Sequence, residues 1–248
     1  MSLTTMSRGQ AIYKQFCFKM KAQIGMFSTL AVLQMLAIAV TLPGGNAGGS
    51  TSMSGVHLVV DIFTANTVIM FTLLWAAVNS IMILTKSNRE SSFPFVTDRL
   101  SSGLSDGLFL LVLSVAGGIT AILSGFLIRS LKYYIFTGET FLNLNSYQVD
   151  EVVSGTVGLI GMIVLVCSLG YLLGAVSSMH RLFPVLVPVI CIGSLIVIGQ
   201  TGSTFLMDVI NFYFQETGIL MYLLKAGLTA ILLFGVAVML LRRLEVRS

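Results

Sequence analysis

The sequence predicts an all-α membrane protein: one transmembrane domain over residues 1–248 with six spans, an N-terminal interfacial elbow helix, and a re-entrant segment between spans five and six. Three observations lead there. Of 248 residues, 56% are hydrophobic and only 10% charged, and the mean hydropathy is +0.95. Soluble globular domains are about one quarter charged, so an ordinary water-soluble enzyme and any disordered class are excluded. Six apolar stretches reach the roughly 20 residues that a helix rising about 1.5 Å per residue needs to cross a hydrocarbon core about 30 Å thick. The basic residues gather at the edges of these stretches, as topology signals do.

The first element runs from Arg8 to Lys21 (residues 8–21). Placed at about 100° per residue, Ile12, Tyr13, Phe16, Cys17 and Met20 share one face, while Arg8, Lys14, Lys19 and Lys21 occupy the rest, with Phe18 an exception. It reads as a helix lying in the membrane–water interface with its lysines toward anionic lipid headgroups, or as a charged leader that orients the first span. Span one covers 24–42 and ends at Pro43-Gly44-Gly45. Its basic lead of about two dozen residues and its full span length differ from a signal peptide, so it is expected to stay uncleaved.

Span two covers 57–85 and is uncharged from Ile62 through Thr85. The cytoplasmic loop that follows, 86–103, carries Arg89, Phe93, Pro94, Phe95, Thr97, Asp98 and Arg99. Pro94 holds Phe93 extended or in a turn, and Thr97 or Asp98 is placed to cap a helix leading into span three. Two aromatic side chains in a loop suit either a turn lying on lipid or a docking site for a cytoplasmic partner. Spans three to six cover 104–128, 152–176, 182–200 and 218–241. The outer segment 201–217 holds Phe205, Leu206, Val209, Ile210, Phe212, Tyr213 and Phe214, too apolar for a water-facing loop and too short to cross and return. A re-entrant or surface-lying helix fits its length.

Orientation follows from charge. With both termini in the cytoplasm, Arg8, Lys14, Lys19, Lys21, Lys86, Arg89, Arg99, Arg181, Arg242, Arg243 and Arg247 lie inside, and only Arg129 and Lys132 outside. The reverse orientation violates the positive-inside rule. The net charge of +4 therefore reports topology. No basic stripe with interleaved aromatics exists to follow a phosphate backbone, so no nucleic-acid partner is expected.

Catalytic and metal sites are not expected. Cys17, Cys167 and Cys191 are odd in number and give no disulfide framework, and His57 and His180 fall on opposite sides of the membrane. Gly199-Gln200-Thr201-Gly202-Ser203-Thr204 lacks the lysine of a phosphate loop. The ionisable groups near the bilayer are Asp61, Arg129 and Lys225. Lys225, about two turns inside span six, either snorkels to the surface or pairs with Asp61 to line an outer vestibule. Gly170 and Gly174 stand in a Gly-x-x-x-Gly spacing that lets helices approach closely. Gln34, Asn66, Asn79, Thr120 and Ser124, polar residues within spans, either join helices or wet a cavity.

Taken in order, a basic amphipathic helix, six spans with both ends inside, a short Phe-Pro loop after span two and a re-entrant segment before span six resemble the permease subunit of a bacterial ABC-2-type transporter, the type V exporter architecture. In that family the loop after span two docks on a separate ATPase. Similar permeases carry a Phe-Pro-x-(Ser/Thr)-x-Arg-like stretch; here it reads Phe93-Pro94-Phe95-Val96-Thr97-Asp98-Arg99, displaced by one residue. The resemblance implies a permease in the bacterial cytoplasmic membrane, paired with a second identical or related permease chain. It also implies an ABC ATPase subunit that holds ATP and Mg, with no cofactor on this chain. The expected activity is export of a lipid-like, peptide or drug-like substrate. An ion-coupled secondary carrier and a non-transporting membrane partner (an immunity, sensor or assembly subunit) are the rival readings.

Overall fold

A computed structural model describes residues 8–42, 49–53, 56–60, 65–85, 99–135, 149–178, 193, 208, 211–213 and 218–245. Among the described residues, six helices with defined bounds and one hairpin follow in chain order: α1 (Arg8–Ala22), α2 (Ile24–Thr41), β1 (Gly49–Met53), β2 (Val56–Val60), α3 (Asn66–Ile83), α4 (Arg99–Ile135), α5 (Val149–Ser177) and α6 (Ile219–Glu245). Five of these helices, α2 to α6, are long and apolar enough to cross a membrane, and the chain is a multi-pass membrane protein. Span five (182–200) lies outside the described residues except for Gly193. So does most of the segment 201–217, where only Asp208 and the residues 211–213 are described, all helical.

Span two is shorter than expected at its start. Residues 57–60 belong to β2, which pairs antiparallel with β1 and sets Gly49 opposite Val60 and Met53 opposite Val56. The reason is local: Val56, Val59 and Val60 are β-branched, and their stiff side chains suit a pleated surface better than a helix. The helix begins only at Asn66. Span three, by contrast, is longer than expected. The last residues of the loop 86–103 already belong to α4, whose 37 residues correspond to about 55 Å. It starts at Arg99, immediately after the two residues placed to cap it.

α1 and α2 are separated by Gln23 alone, where φ is −108° and ψ 22°. The backbone N–H of Gln23 still donates to Lys19 O at 2.9 Å, so the break is a single residue wide.

Cross-helix contacts fix the directions. Gln34 of α2 meets Thr72 of α3, and Thr29 meets Trp75, so these helices run antiparallel. Gly118 of α4 faces Ile160 of α5 while Asp106 meets Tyr171, again antiparallel. α5 and α6 instead run parallel: Tyr222 donates to Gly158 O, and Phe234 stacks on Tyr171. Val238, toward the end of α6, lies against Gly103 at the start of α4. Lys19 of α1 reaches the same first turns of α4. The N-terminal helix and the end of α6 thus share one end of the bundle.

α5 is the central helix. Its small residues admit α3: a Cβ at Gly170 would run into Ser80 Oγ and lie 2.9 Å from Ala77 O, and one at Gly174 would lie 3.1 Å from Ile81 O. The Gly-x-x-x-Gly spacing is therefore a packing device within the chain. Between the helices sits a core that includes Trp75, Phe109, Leu113, Ile128 and Ile163. Val32, Met35 and Val40 on α2, and Leu220, Ile231 and Met239 on α6, point outward, as side chains that meet lipid do.

Candidate functional site

The site grows from one acidic residue in an apolar helix. Asp106 follows Arg99 by seven positions on α4, about two turns in, and is buried. An isolated carboxylate at that place is costly, so it needs a partner. Lys19 supplies it: its Nζ lies 2.5 Å from Asp106 Oδ1, and both side chains are about nine-tenths buried. The same ammonium donates to Ser102 O at 3.2 Å and to Ser102 Oγ at 3.4 Å, so three acceptors surround its N–H groups. On the other side the Tyr171 hydroxyl donates to Asp106 Oδ2 at 3.2 Å. Both carboxylate oxygens are therefore engaged.

A fourth helix closes the site. Phe234 of α6 stacks on Tyr171 with centroids 4.6 Å apart and planes 25° from parallel. Gly107 lets that ring approach, since a Cβ there would stand 3.1 Å from Phe234 Cζ. The ion pair, its tyrosine and the stacked ring together join α1, α4, α5 and α6.

The N-terminal helix is oriented by this contact. The stripe of α1 turned toward α4 contains Ile12, Gln15, Phe16, Lys19 and Met20, at helical spacing, with Gln15 and Lys19 the most buried. Tyr13, expected on the apolar face, is 67% exposed. Lys19 is buried against α4, and Lys14 and Lys21 are exposed as expected. Phe16 and Met20 of the expected apolar face pack against the core, and Lys19 joins them because Asp106 lies opposite it.

A second polar layer lies fourteen residues farther along α4, about 21 Å away. Gln34 Nε2 donates to Thr72 Oγ1 at 3.2 Å and to Thr120 Oγ1 at 3.0 Å, joining α2, α3 and α4. Each threonine hydroxyl meanwhile donates to a carbonyl of its own helix, Val68 O and Ala116 O, both at 2.8 Å. Asn79 and Ser124 bond their own helices, to Trp75 O and Thr120 O. Of the polar residues expected either to join helices or to wet a cavity, Gln34 and Thr120 join helices.

Of the expected docking residues, Arg99 is the first residue of α4; Arg89, Phe93, Pro94, Phe95, Thr97 and Asp98 lie outside the described residues, as does Asp61. Lys225 sends its ammonium to Phe212 O at 3.3 Å and sits 4.4 Å above the Phe212 ring, a cation–π contact to the segment between α5 and α6. Arg129 shares a cleft with Glu151 at the far end of α4.

Asp106 and Tyr171 were not singled out by the sequence, although an Asp inside the run 104–128 was a legible signal. Among the described residues no group of His, Cys, Asp and Glu is arranged to hold a metal ion. Cys17 and Cys167 are free thiols, and Cys191 lies outside the described residues. No family model, curated protein or solved structure matches the chain.

Proposed function

We propose that this chain is the permease subunit of an ATP-driven exporter of the ABC-2 type. It crosses the membrane six times with both termini in the cytoplasm and moves a lipid-like, peptide or drug-like substrate outward. A separate subunit binds ATP and Mg and hydrolyses the nucleotide, and a second permease chain completes the path.

The observation that carries this reading is the Lys19–Asp106–Tyr171 network at the start of α4. α4 is the helix that emerges from the loop 86–103, the segment assigned to ATPase docking. A push on that loop enters α4 at Arg99 and reaches α1, α5 and α6 through side chains within two turns. Six crossings are supported by the parallel course of α5 and α6, because chain leaving one and entering the other has to return across the bilayer. The 182–200 stretch has the length for that return.

The test is whether the neighbouring reading frame encodes a Gly-x-x-x-x-Gly-Lys-(Ser/Thr) protein that co-purifies with this chain. The wild-type chain retains that ATPase. Phe93→Ala with Arg99→Ala releases it while leaving the permease folded. Retained ATPase and full transport in that double variant overturn the assignment of the loop.

One observation favours a second reading. A carboxylate buried in a spanning helix is a common feature of ion and proton pathways, so Asp106 suits an ion-coupled carrier as well. Purified chain that moves cargo along an ion gradient without an ATPase decides for the carrier.

A further inference from the structure

At the end of α4 remote from Lys19, a cleft of about 210 Å³ opens between the starts of α3 and α5 and the far part of α4. Ile122, Phe126, Gly125 and Gly155 give it a mainly apolar lining, and Arg129 and Glu151 are the two charged side chains on it. Its depth is set by α4 itself. Arg129 follows Asp106 by twenty-three residues, about 34 Å, close to the thickness of a hydrocarbon core. With Asp106 near one boundary, Arg129 stands at the headgroup level of the other. The floor is open where Gly155 lies, for a Cβ there would meet nothing within 4 Å.

We propose that this cleft binds a phospholipid with a primary-amine zwitterionic headgroup, of the phosphatidylethanolamine class. The Arg129 guanidinium presents a planar fork of donors that matches the phosphodiester oxygens. The Glu151 carboxylate accepts from the ammonium, and the glycerol and upper acyl chain lie along Ile122, Phe126 and the two glycines. The pair of opposite charges selects the headgroup. An anionic phosphatidylglycerol meets repulsion at Glu151, and a choline headgroup brings a quaternary nitrogen with no N–H to donate. The site differs from the ion-pair network in place and chemistry, and its occupancy does not depend on the transport reading.

The experiment uses the full chain in nanodiscs or mild detergent, loaded from vesicles of phosphatidylethanolamine, phosphatidylglycerol or phosphatidylcholine. Retained lipid is counted by native mass spectrometry. One phosphatidylethanolamine per chain is expected, favoured about three- to fivefold over the other two, the size that a partly exposed ion pair supports. Glu151→Gln removes the discrimination against phosphatidylglycerol, and Arg129→Ala weakens retention of all three lipids. Gly155→Leu keeps both charges, fills the open floor and displaces the lipid. Soluble phosphoethanolamine, which lacks acyl chains, does not compete. Equal retention of the three lipids, or unchanged phosphatidylethanolamine retention in Gly155→Leu and Glu151→Gln chains that remain monodisperse and folded, overturns the proposal. Competition by phosphoethanolamine at the lipid's own concentration overturns it as well, by showing that the acyl chain has no part in binding.

Discussion

Lys19 Nζ and Asp106 Oδ1 meet at 2.5 Å although 87 residues of chain separate them, and both side chains are withdrawn from the surface. The contact ties the helix before the first span to the first turns of α4. Two charges taken from water repay their desolvation only through each other and their hydrogen bonds, so the pair is weak evidence of net stability and strong evidence of a fixed geometry. What it fixes is the angle between α1 and the bundle.

Removing one partner leaves the other charge buried and alone. Lys19→Met is expected to lower stability by about 3–5 kcal/mol, and Asp106→Leu by a similar amount. The double variant, with two apolar side chains of similar volume, recovers most of the loss. Thermal midpoints by size-exclusion chromatography in detergent measure the cycle. Additive losses in the double variant would show that the two side chains do not act as a pair.

Tyr171 contributes to the same network in two separable ways. Tyr171→Phe keeps the ring against Phe234 and removes only the hydroxyl that donates to Asp106. The loss expected is about 1.5–3 kcal/mol, as for a hydrogen bond to a charged group. Tyr171→Ala also deletes a fully buried aromatic side chain, and about 3–5 kcal/mol is the scale of such truncations. Equal midpoints for the two variants would remove the ring stacking from the account.

Much of this arrangement is written locally in the chain and some is not. The expected spans at 24–42, 104–128, 152–176 and 218–241 all fall on helices, because length and hydropathy are properties of one segment. The stretch from Val56 to Val60 misleads by the same measure, since hydropathy does not distinguish a valine-rich strand from the first turns of a span. Lys19 is misplaced on the outer face of α1 because a helical projection sorts residues by polarity. A buried lysine becomes readable only with its partner in view, and Asp106 lies on another helix. Gln34 was recognisable as polar inside a span, yet its two threonine acceptors belong to α3 and α4.

Glycines on one helix face different fates. Gly170→Val is expected to prevent α3 from docking on α5, because the added carbons collide with Ser80 and with the backbone carbonyl of Ala77. Gly158→Ala, where a Cβ meets nothing within 4 Å, is expected to be neutral or to stabilise by up to about 1 kcal/mol through helix propensity. The pair of midpoints separates close packing from mere flexibility. A tolerated Gly170→Val would mean that α3 and α5 do not approach as described.

The Gln34 layer makes the opposite case to the ion pair, and magnitudes decide it. Gln34 is neutral, and both threonine hydroxyls keep their bonds to Val68 O and Ala116 O when the amide is removed. Gln34→Leu therefore leaves no buried charge and no hydroxyl proton without an acceptor. Hydrogen bonds between helices in membranes average about 0.6 kcal/mol, so two of them amount to about 1 kcal/mol. That loss is expected to be well below the loss in Lys19→Met measured by the same chromatography. A larger effect for Gln34→Leu than for Lys19→Met would reverse the order of the two layers and place the decisive contact of the bundle at α2, α3 and α4 instead of at the start of α4.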